Sequence, residues 1–206
     1  DSPLDYFYSG SGHDYINLTN QIRREIGTGD GDDTIVSSGL VGSGSPTYLN
    51  NYGHDGIKAG SGDDTISLSG GSVVNVGFRH HAAIIYGNDG NDTIELLNLK
   101  DYGPDYGDSG NDSIDASNAN YVQEIWGGEG DDIIIGSLGA DDIRGGTDND
   151  FIDGGGGNNK LSGDAGNDTL VSGDGDDILI GGYDNDSIDG GGGNNELYGD
   201  AGNDTL

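Results

Sequence analysis

Aspartate recurs along this chain in a fixed relation to glycine and to a large apolar residue. Each of ten aspartates follows a Gly or Asp by two residues and precedes an Ile or Leu by two. They are Asp14, Asp33, Asp64, Asp92, Asp112, Asp132, Asp150, Asp168, Asp186 and Asp204. A hard divalent cation such as Ca²⁺ takes roughly six to eight oxygens from carboxylates and backbone carbonyls. The pattern therefore predicts a column of metal ligands, provided that the fold brings these residues into register.

A second set of residues also lies two before a large apolar residue, midway between the first set in the C-terminal half. It consists of Asp141, Asn159, Asp177 and Asn195, so each neighbouring pair offers one carboxylate and one neutral amide oxygen. Because affinity for Ca²⁺ rises with ligand charge, we expect up to about three weaker sites here. Upstream, a continuous column is not expected, because the equivalent residues are Asp5, Arg24, Asp55, Ala83, Gly103 and Gln123.

The elements that must position these residues are visible from Gly127 onward, where the chain is a tandem nine-residue repeat. Most units, such as GDAGNDTLV, have Gly or Asp at the fourth position and Asp or Asn at the sixth. The eighth position is always Ile or Leu: Ile134, Ile143, Ile152, Leu161, Leu170, Leu179, Ile188, Leu197 and Leu206. One inward apolar residue per unit predicts a strand of about three residues and a glycine-rich turn of about six.

The first 126 residues keep the phase of this repeat, although they look less regular. The ten aspartates are separated by 19, 31, 28, 20 and 20 residues, and then by 18 residues four times. Seven residues before each upstream aspartate lies a second ladder, Phe7, Ile26, Ile57, Ile85, Asp105 and Ile125. We therefore predict one elongated domain over 1–206, with irregular coils over 1–126 and regular repeats over 127–206. The longer spacings predict longer loops at about 37–53 and 67–83.

The tandem units resemble the nonapeptide G-G-x-G-x-D-x-U-x of the RTX (repeats-in-toxin) family, where U is a large apolar residue. The resemblance implies an all-β fold, a right-handed parallel β-roll or β-solenoid of about ten coils, with two nonapeptides per coil in the C-terminal half. It also implies Ca²⁺ between stacked turns, up to about twelve ions in all. The implied ligands include the backbone carbonyls of Gly128, Gly130, Gly146, Asp148, Asp164, Gly166, Gly182 and Asp184.

Composition limits the alternatives. The chain has 206 residues, 43 glycines, 31% hydrophobic residues and a formal charge of −31. Without cations it reads as disordered, because so small a core cannot offset chain entropy and self-repulsion. Nucleic acid is excluded as a partner because its phosphates would repel this chain, and no apolar run approaches the ~20 residues of a membrane span. No P-loop, EF-hand or zinc-protease motif is present, so we expect no enzymatic activity within this chain.

The resemblance also implies a biological role. This role is that of a calcium-binding module in a secreted or cell-surface protein. The module would stay unfolded in the cell, leave by type I secretion and fold on binding Ca²⁺ outside. The alternative is a structural building block of an extracellular fibril, surface layer or adhesin, with end-to-end self-association. A cell-surface glycan is a candidate partner for the loop that holds Phe78, Arg79, His80 and His81, unless that loop packs on its own coil.

Overall fold

The computed structural model describes residues 6–18, 25–38, 56–69, 84–97, 104–119 and 124–206. These ranges contain strands and turns but no helix, which confirms the all-β prediction. It follows that they include no helix long and apolar enough to cross a membrane. Most of the predicted loops at 37–53 and 67–83 lies outside the described residues, and so do Phe78, Arg79, His80 and His81.

The strands form two parallel sheets, and the chain alternates between them. The ten-stranded sheet contains β1 (Tyr6–Ser11), β3 (Glu25–Asp30), β5 (Gly56–Ser61), β7 (Ile84–Asp89), β9 (Pro104–Ser109), β11 (Glu124–Glu129), β13 (Asp142–Thr147), β15 (Lys160–Ala165), β17 (Ile178–Tyr183) and β19 (Glu196–Ala201). The nine-stranded sheet contains β2 (Tyr15–Leu18), β4 (Thr34–Ser38), β6 (Thr65–Ser69), β8 (Thr93–Leu97), β10 (Ser113–Asp115), β12 (Ile133–Ile135), β14 (Phe151–Asp153), β16 (Thr169–Val171) and β18 (Ser187–Asp189). Each strand pairs with the strand one coil later, so the chain winds as the β-solenoid that the resemblance implied.

The core lies between the sheets and consists of two ladders of stacked aliphatic side chains. In the ten-stranded sheet, Ile125, Ile143, Leu161 and Leu179 are in register and fully buried. The nine-stranded sheet contributes Ile16, Ile35, Ile66, Ile94, Ile114, Ile134, Ile152, Leu170 and Ile188. Each fully buried Ile or Leu contributes roughly 1.5–3 kcal/mol. Backbone pairing also joins Phe7, Ile26, Ile57, Ile85, Asp105 and Ile125, which confirms the register predicted for the irregular half.

The two sheets differ in strand length, which the sequence did not indicate. In the C-terminal half, strands of the nine-stranded sheet have the predicted three residues, as in β14. Strands of the ten-stranded sheet have six residues, as in β13, so the prediction was wrong for this sheet. The first residues of the following turn stay paired with the next coil, as Gly146 with Asp164 and Thr147 with Ala165. The sheet therefore holds the start of every turn that carries one of the ten aspartates.

Candidate metal centre

The ten aspartates of the predicted column form one ladder, which we call the first edge. The backbone N–H of each aspartate before the last donates to Oδ1 of the aspartate one coil later, at 2.7–3.0 Å. The ladder runs through Asp14, Asp33, Asp64, Asp92, Asp112, Asp132, Asp150, Asp168, Asp186 and Asp204 without a break. The steps of 31 and 28 residues are bonded like the regular ones. The register predicted for this column is therefore confirmed.

In nine of the ten first-edge aspartates, the other carboxylate oxygen is buried and has no hydrogen-bond donor among the residues that the structure describes. This holds for Oδ2 of Asp14, Asp33, Asp64, Asp92, Asp112, Asp132, Asp150, Asp168 and Asp186. Burying an ionised carboxylate without partners is costly, and buried polar atoms in folded proteins nearly always have one. An unbroken row of such hard oxygens fits a row of hard cations between the coils, so the donor set fits Ca²⁺.

Glycine at the first repeat position makes room for these oxygens. A Cβ added at this glycine would collide with Oδ2 of the aspartate five residues later, in the pairs Gly87 and Asp92, Gly107 and Asp112, Gly127 and Asp132, Gly145 and Asp150, Gly163 and Asp168, Gly181 and Asp186, and Gly199 and Asp204. The Cβ position of Gly163 also lies 2.7 Å from the carbonyl oxygen of Gly181, one coil later. Oxygens from two successive coils thus converge on one point, as a shared cation requires.

Turn carbonyls also point towards the next coil. Cβ atoms added to Gly146, Gly166, Gly182 and Gly202 would collide with the carbonyl oxygens of Gly128, Asp148, Asp164 and Asp184, four of the predicted ligands. The other four predicted carbonyl ligands belong to Gly130, Gly146, Gly166 and Gly182. The residues at the same positions one coil later are Asp148, Asp164, Asp184 and Asp200, respectively. Those aspartates have φ of 63–75°, the left-handed region that Asp tolerates better than most residues. In the described ranges no three acidic, His or Cys side chains gather at one point, so backbone oxygens must complete any site.

A methyl group at this crowded point should destabilise the protein. Gly163→Ala would press Cβ against Oδ2 of Asp168 and the backbone oxygen of Gly181, and Asp168 is fixed by its bond from Asp150. We expect a loss of roughly 1–3 kcal/mol in the unfolding free energy of the Ca²⁺-loaded chain, the range for overpacking. The control is Gly156→Ala, whose Cβ would meet the Leu138 carbonyl oxygen at an ordinary 3.6 Å. Equal denaturation midpoints for the two variants would contradict the crowding.

Burial raises the pKa of six first-edge carboxyls well above that of an exposed aspartate. The pKa rises to about 6 for Asp132 and Asp168, to about 7 for Asp64, Asp92 and Asp112, and to about 8 for Asp150. Desolvation is the main cause; the backbone hydrogen bond to each carboxylate lowers the pKa, and neighbouring carboxylates raise it. A cation between coils would oppose both effects that raise the pKa and would release the protons.

The second predicted set is also in register, and we call its ladder the second edge. The N–H groups of Asp141, Asn159 and Asp177 donate to Oδ1 of the next member, at 2.9, 2.7 and 3.0 Å, with Asn195 last. Here the remaining side-chain atoms mostly have protein partners, and among the four only Asp177 has a buried oxygen without a donor. The upstream equivalents Asp5, Arg24, Asp55, Ala83, Gly103 and Gln123 lie outside the described residues.

A further ladder, which we did not predict, runs beside the first edge at the fifth repeat position. Each backbone N–H donates to Oδ1 of the residue one coil earlier, through Asp32, Asp63, Asn91, Asn111, Asp131, Asn149, Asn167, Asn185 and Asn203. Side-chain amides reinforce it, as from Asn167 to Asn149 at 3.0 Å. The available signal was the Asn or Asp that precedes every first-edge aspartate after Asp14.

Comparison with protein families agrees with this geometry. The RTX calcium-binding nonapeptide repeat, a family that binds Ca²⁺, matches residues 51–72, 84–97, 124–143, 135–170 and 171–206, more than half of the chain. No curated protein matches the chain. The matched segments contain strands β5 to β8 and β11 to β19, and the fold is the parallel solenoid that such repeats imply. The chain therefore belongs to the RTX calcium-binding nonapeptide repeat family.

Proposed function

We propose that this chain is a calcium-binding repeat module in which ions held along the first edge drive folding. The observation that carries the proposal is the row of buried Oδ2 atoms, from Asp14 to Asp186, that have no donor in the described part of the chain. Each gap between coils combines such an oxygen with turn carbonyls, and ten aspartates leave about nine gaps. About nine Ca²⁺ ions would neutralise more than half of the formal charge of −31.

The same coupling gives the chain a compartment-dependent fold. Where Ca²⁺ is scarce, repulsion among unneutralised carboxylates keeps the chain extended; where it is abundant, the whole of 1–206 folds as one elongated domain. This behaviour suits a secreted or cell-surface protein that leaves the cell unfolded, by a type I secretion route. The proposal gives the repeat an ion-binding and structural role, and it assigns no catalytic step to it.

Two adjacent aspartates offer a matched test of the first edge. Asp132 is buried in this edge, whereas Asp131 is exposed in the fifth-position ladder, where Asn is common. In Asp132→Asn, Oδ1 should keep the bond from the Asp112 N–H, so the amide nitrogen would turn into the gap and repel a cation. We expect this variant to lose one or two bound Ca²⁺ per chain, counted by equilibrium dialysis, and Asp131→Asn to lose none.

The two variants change charge equally, so a general electrostatic effect would weaken both alike. Equal Ca²⁺ counts for Asp132→Asn and the unsubstituted chain would contradict binding at the first edge. A count of zero in the unsubstituted chain would refute the proposed function as a whole.

A further inference from the structure

The second edge keeps the register of the first edge but carries asparagine in every other coil. The Oδ1 atoms of Asn159 and Asn195 accept the N–H groups of Asp141 and Asp177, at 2.9 and 3.0 Å. A buried N–H needs an acceptor, so these bonds fix the orientation of both side-chain amides. Their Nδ2 groups must therefore point the other way, towards the glycine at the start of the same turn.

This orientation puts a donor where the first edge has an unpartnered carboxylate oxygen. Nδ2 of Asn159 lies 3.1 Å from the Cβ position of Gly154, and Nδ2 of Asn195 lies 2.9 Å from that of Gly190. On the first edge, the corresponding point is occupied by Oδ2, as beside Gly163. An amide N–H₂ carries partial positive charge and no available lone pair, so it cannot coordinate a cation.

In each gap of the second edge in the tandem region, hydrogen bonds within the protein engage atoms at the position that a cation would take. Between Asp141 and Asn159, Ser137 donates its N–H to Oδ2 of Asp141 at 2.7 Å and its hydroxyl to the same carboxylate at 3.0 Å. Between Asn159 and Asp177, Nδ2 of Asn159 donates to the Ser172 hydroxyl of the next coil at 3.2 Å.

In the gap between Asp177 and Asn195, the group that is unavailable to a cation is a backbone carbonyl. Nδ2 of Asn195 donates to the carbonyl oxygen of Gly190 at 2.6 Å. The equivalent first-edge carbonyl, that of Gly181, faces the point shared with Oδ2 of Asp168. Asp177 keeps its unpartnered Oδ2, but the carbonyl that would share a cation with it is already engaged.

We infer that Asn159 and Asn195, with Ser137 and Ser172, replace Ca²⁺ at the second edge, so that this edge binds no cation in the tandem region. The inference rests on the proposed calcium function of the first edge and replaces our expectation of about three weaker sites. Calcium loading is then one-sided: ions join the coils along one edge, and side-chain amides and hydroxyls join them along the other.

The test substitutes the buried asparagine and compares it with its exposed neighbour. Asn159→Asp adds a carboxylate opposite Asp177, and the double variant with Ser172→Gly also restores the glycine that begins the first-edge turns. Asn158→Asp adds the same charge at an exposed position one residue away. Counted by equilibrium dialysis at saturating Ca²⁺, we expect one additional ion per chain for the single or the double variant and none for Asn158→Asp.

A crystal structure of the unsubstituted chain with Ca²⁺, with ions located by anomalous scattering, completes the test. Ions along the first edge and none between Asp141 and Asn195 would support the inference. An ion between Asn159 and Asp177 would overturn it while leaving the calcium function intact, and so would an unchanged count in both Asn159 variants. Ca²⁺ bound at neither edge would instead refute the proposed function.

Discussion

In excess chelator at neutral pH, the chain is expected to lose nearly all of its β-sheet signal in circular dichroism. The formal charge is −31, from 38 acidic residues against 7 Lys and Arg, and the aspartates of the first edge lie one strand spacing apart, about 4.8 Å. Repulsion and desolvation of these carboxylates then outweigh the two narrow aliphatic ladders. Adding Ca²⁺ should restore the signal cooperatively, because each ion joins two coils and each coil supports the next.

Magnesium provides the control for this titration. Mg²⁺ has the same charge but prefers a smaller octahedral shell and keeps several waters. We expect it to restore much less β-structure than Ca²⁺ at the same concentration. A full β-sheet spectrum in excess chelator would contradict metal-driven folding, and equal recovery with both ions would show that only charge neutralisation matters.

Acidification should fold the metal-free chain without calcium. An unfolded aspartate has a pKa of about 3.9, whereas six first-edge carboxyls, those of Asp64, Asp92, Asp112, Asp132, Asp150 and Asp168, have pKa values of about 6 to about 8. The folded state therefore binds more protons between these values, so its stability falls as pH rises from about 4 to about 8. The slope is roughly 1.4 kcal/mol per pH unit for each such carboxyl. Several carboxyls act together, so β-structure should appear in chelator at pH 5 and disappear at pH 8.

Two variants and a size measurement separate this effect from aggregation near the isoelectric point. Asp150→Asn removes the carboxyl whose pKa is raised to about 8, so it should show a smaller difference between pH 5 and pH 8. Asp131→Asn should show the full difference, because the pKa of Asp131 is lowered by hydrogen bonds from Asn149. Sedimentation velocity must show a monomer at pH 5. A monomeric random coil at pH 5 in chelator would contradict the prediction.

The resemblance to the RTX nonapeptide was sufficient to predict the solenoid, and the spacing of the aspartates was sufficient to predict the register of the first edge. Inward aliphatic residues and aspartates two positions before them recur with one phase, and a parallel solenoid stacks equal phases. Asp33 and Asp64 therefore meet although 31 residues separate them. The strand lengths were not predictable in this way, since Gly146 is held in its strand by Asp164 of the next coil, and that pairing leaves no local composition signal.

The chemistry of the second edge also lay beyond the sequence pattern. Asparagine offers an oxygen or a nitrogen, and the spacing alone does not say which one faces the gap. The answer for Asn159 depends on the N–H of Asp141 on one side and the hydroxyl of Ser172 on the other. Both partners belong to other coils, so the sequence did not indicate them. The structure shows that the Asn159 side chain, which we expected to be a weak ligand, presents its N–H₂ group to the gap as a hydrogen-bond donor.

Because the two edges of a coil differ in chemistry, alternate nonapeptides of the repeat are not interchangeable. Neighbours on the first edge of the regular half are 18 residues apart, which is two nonapeptides. Deleting the single nonapeptide 154–162 would move Asp168 from the first edge to the second edge. Every later nonapeptide would also change from one edge to the other. Deleting two nonapeptides would preserve both ladders. An array of this kind therefore changes length in whole coils, although its sequence repeats twice as often.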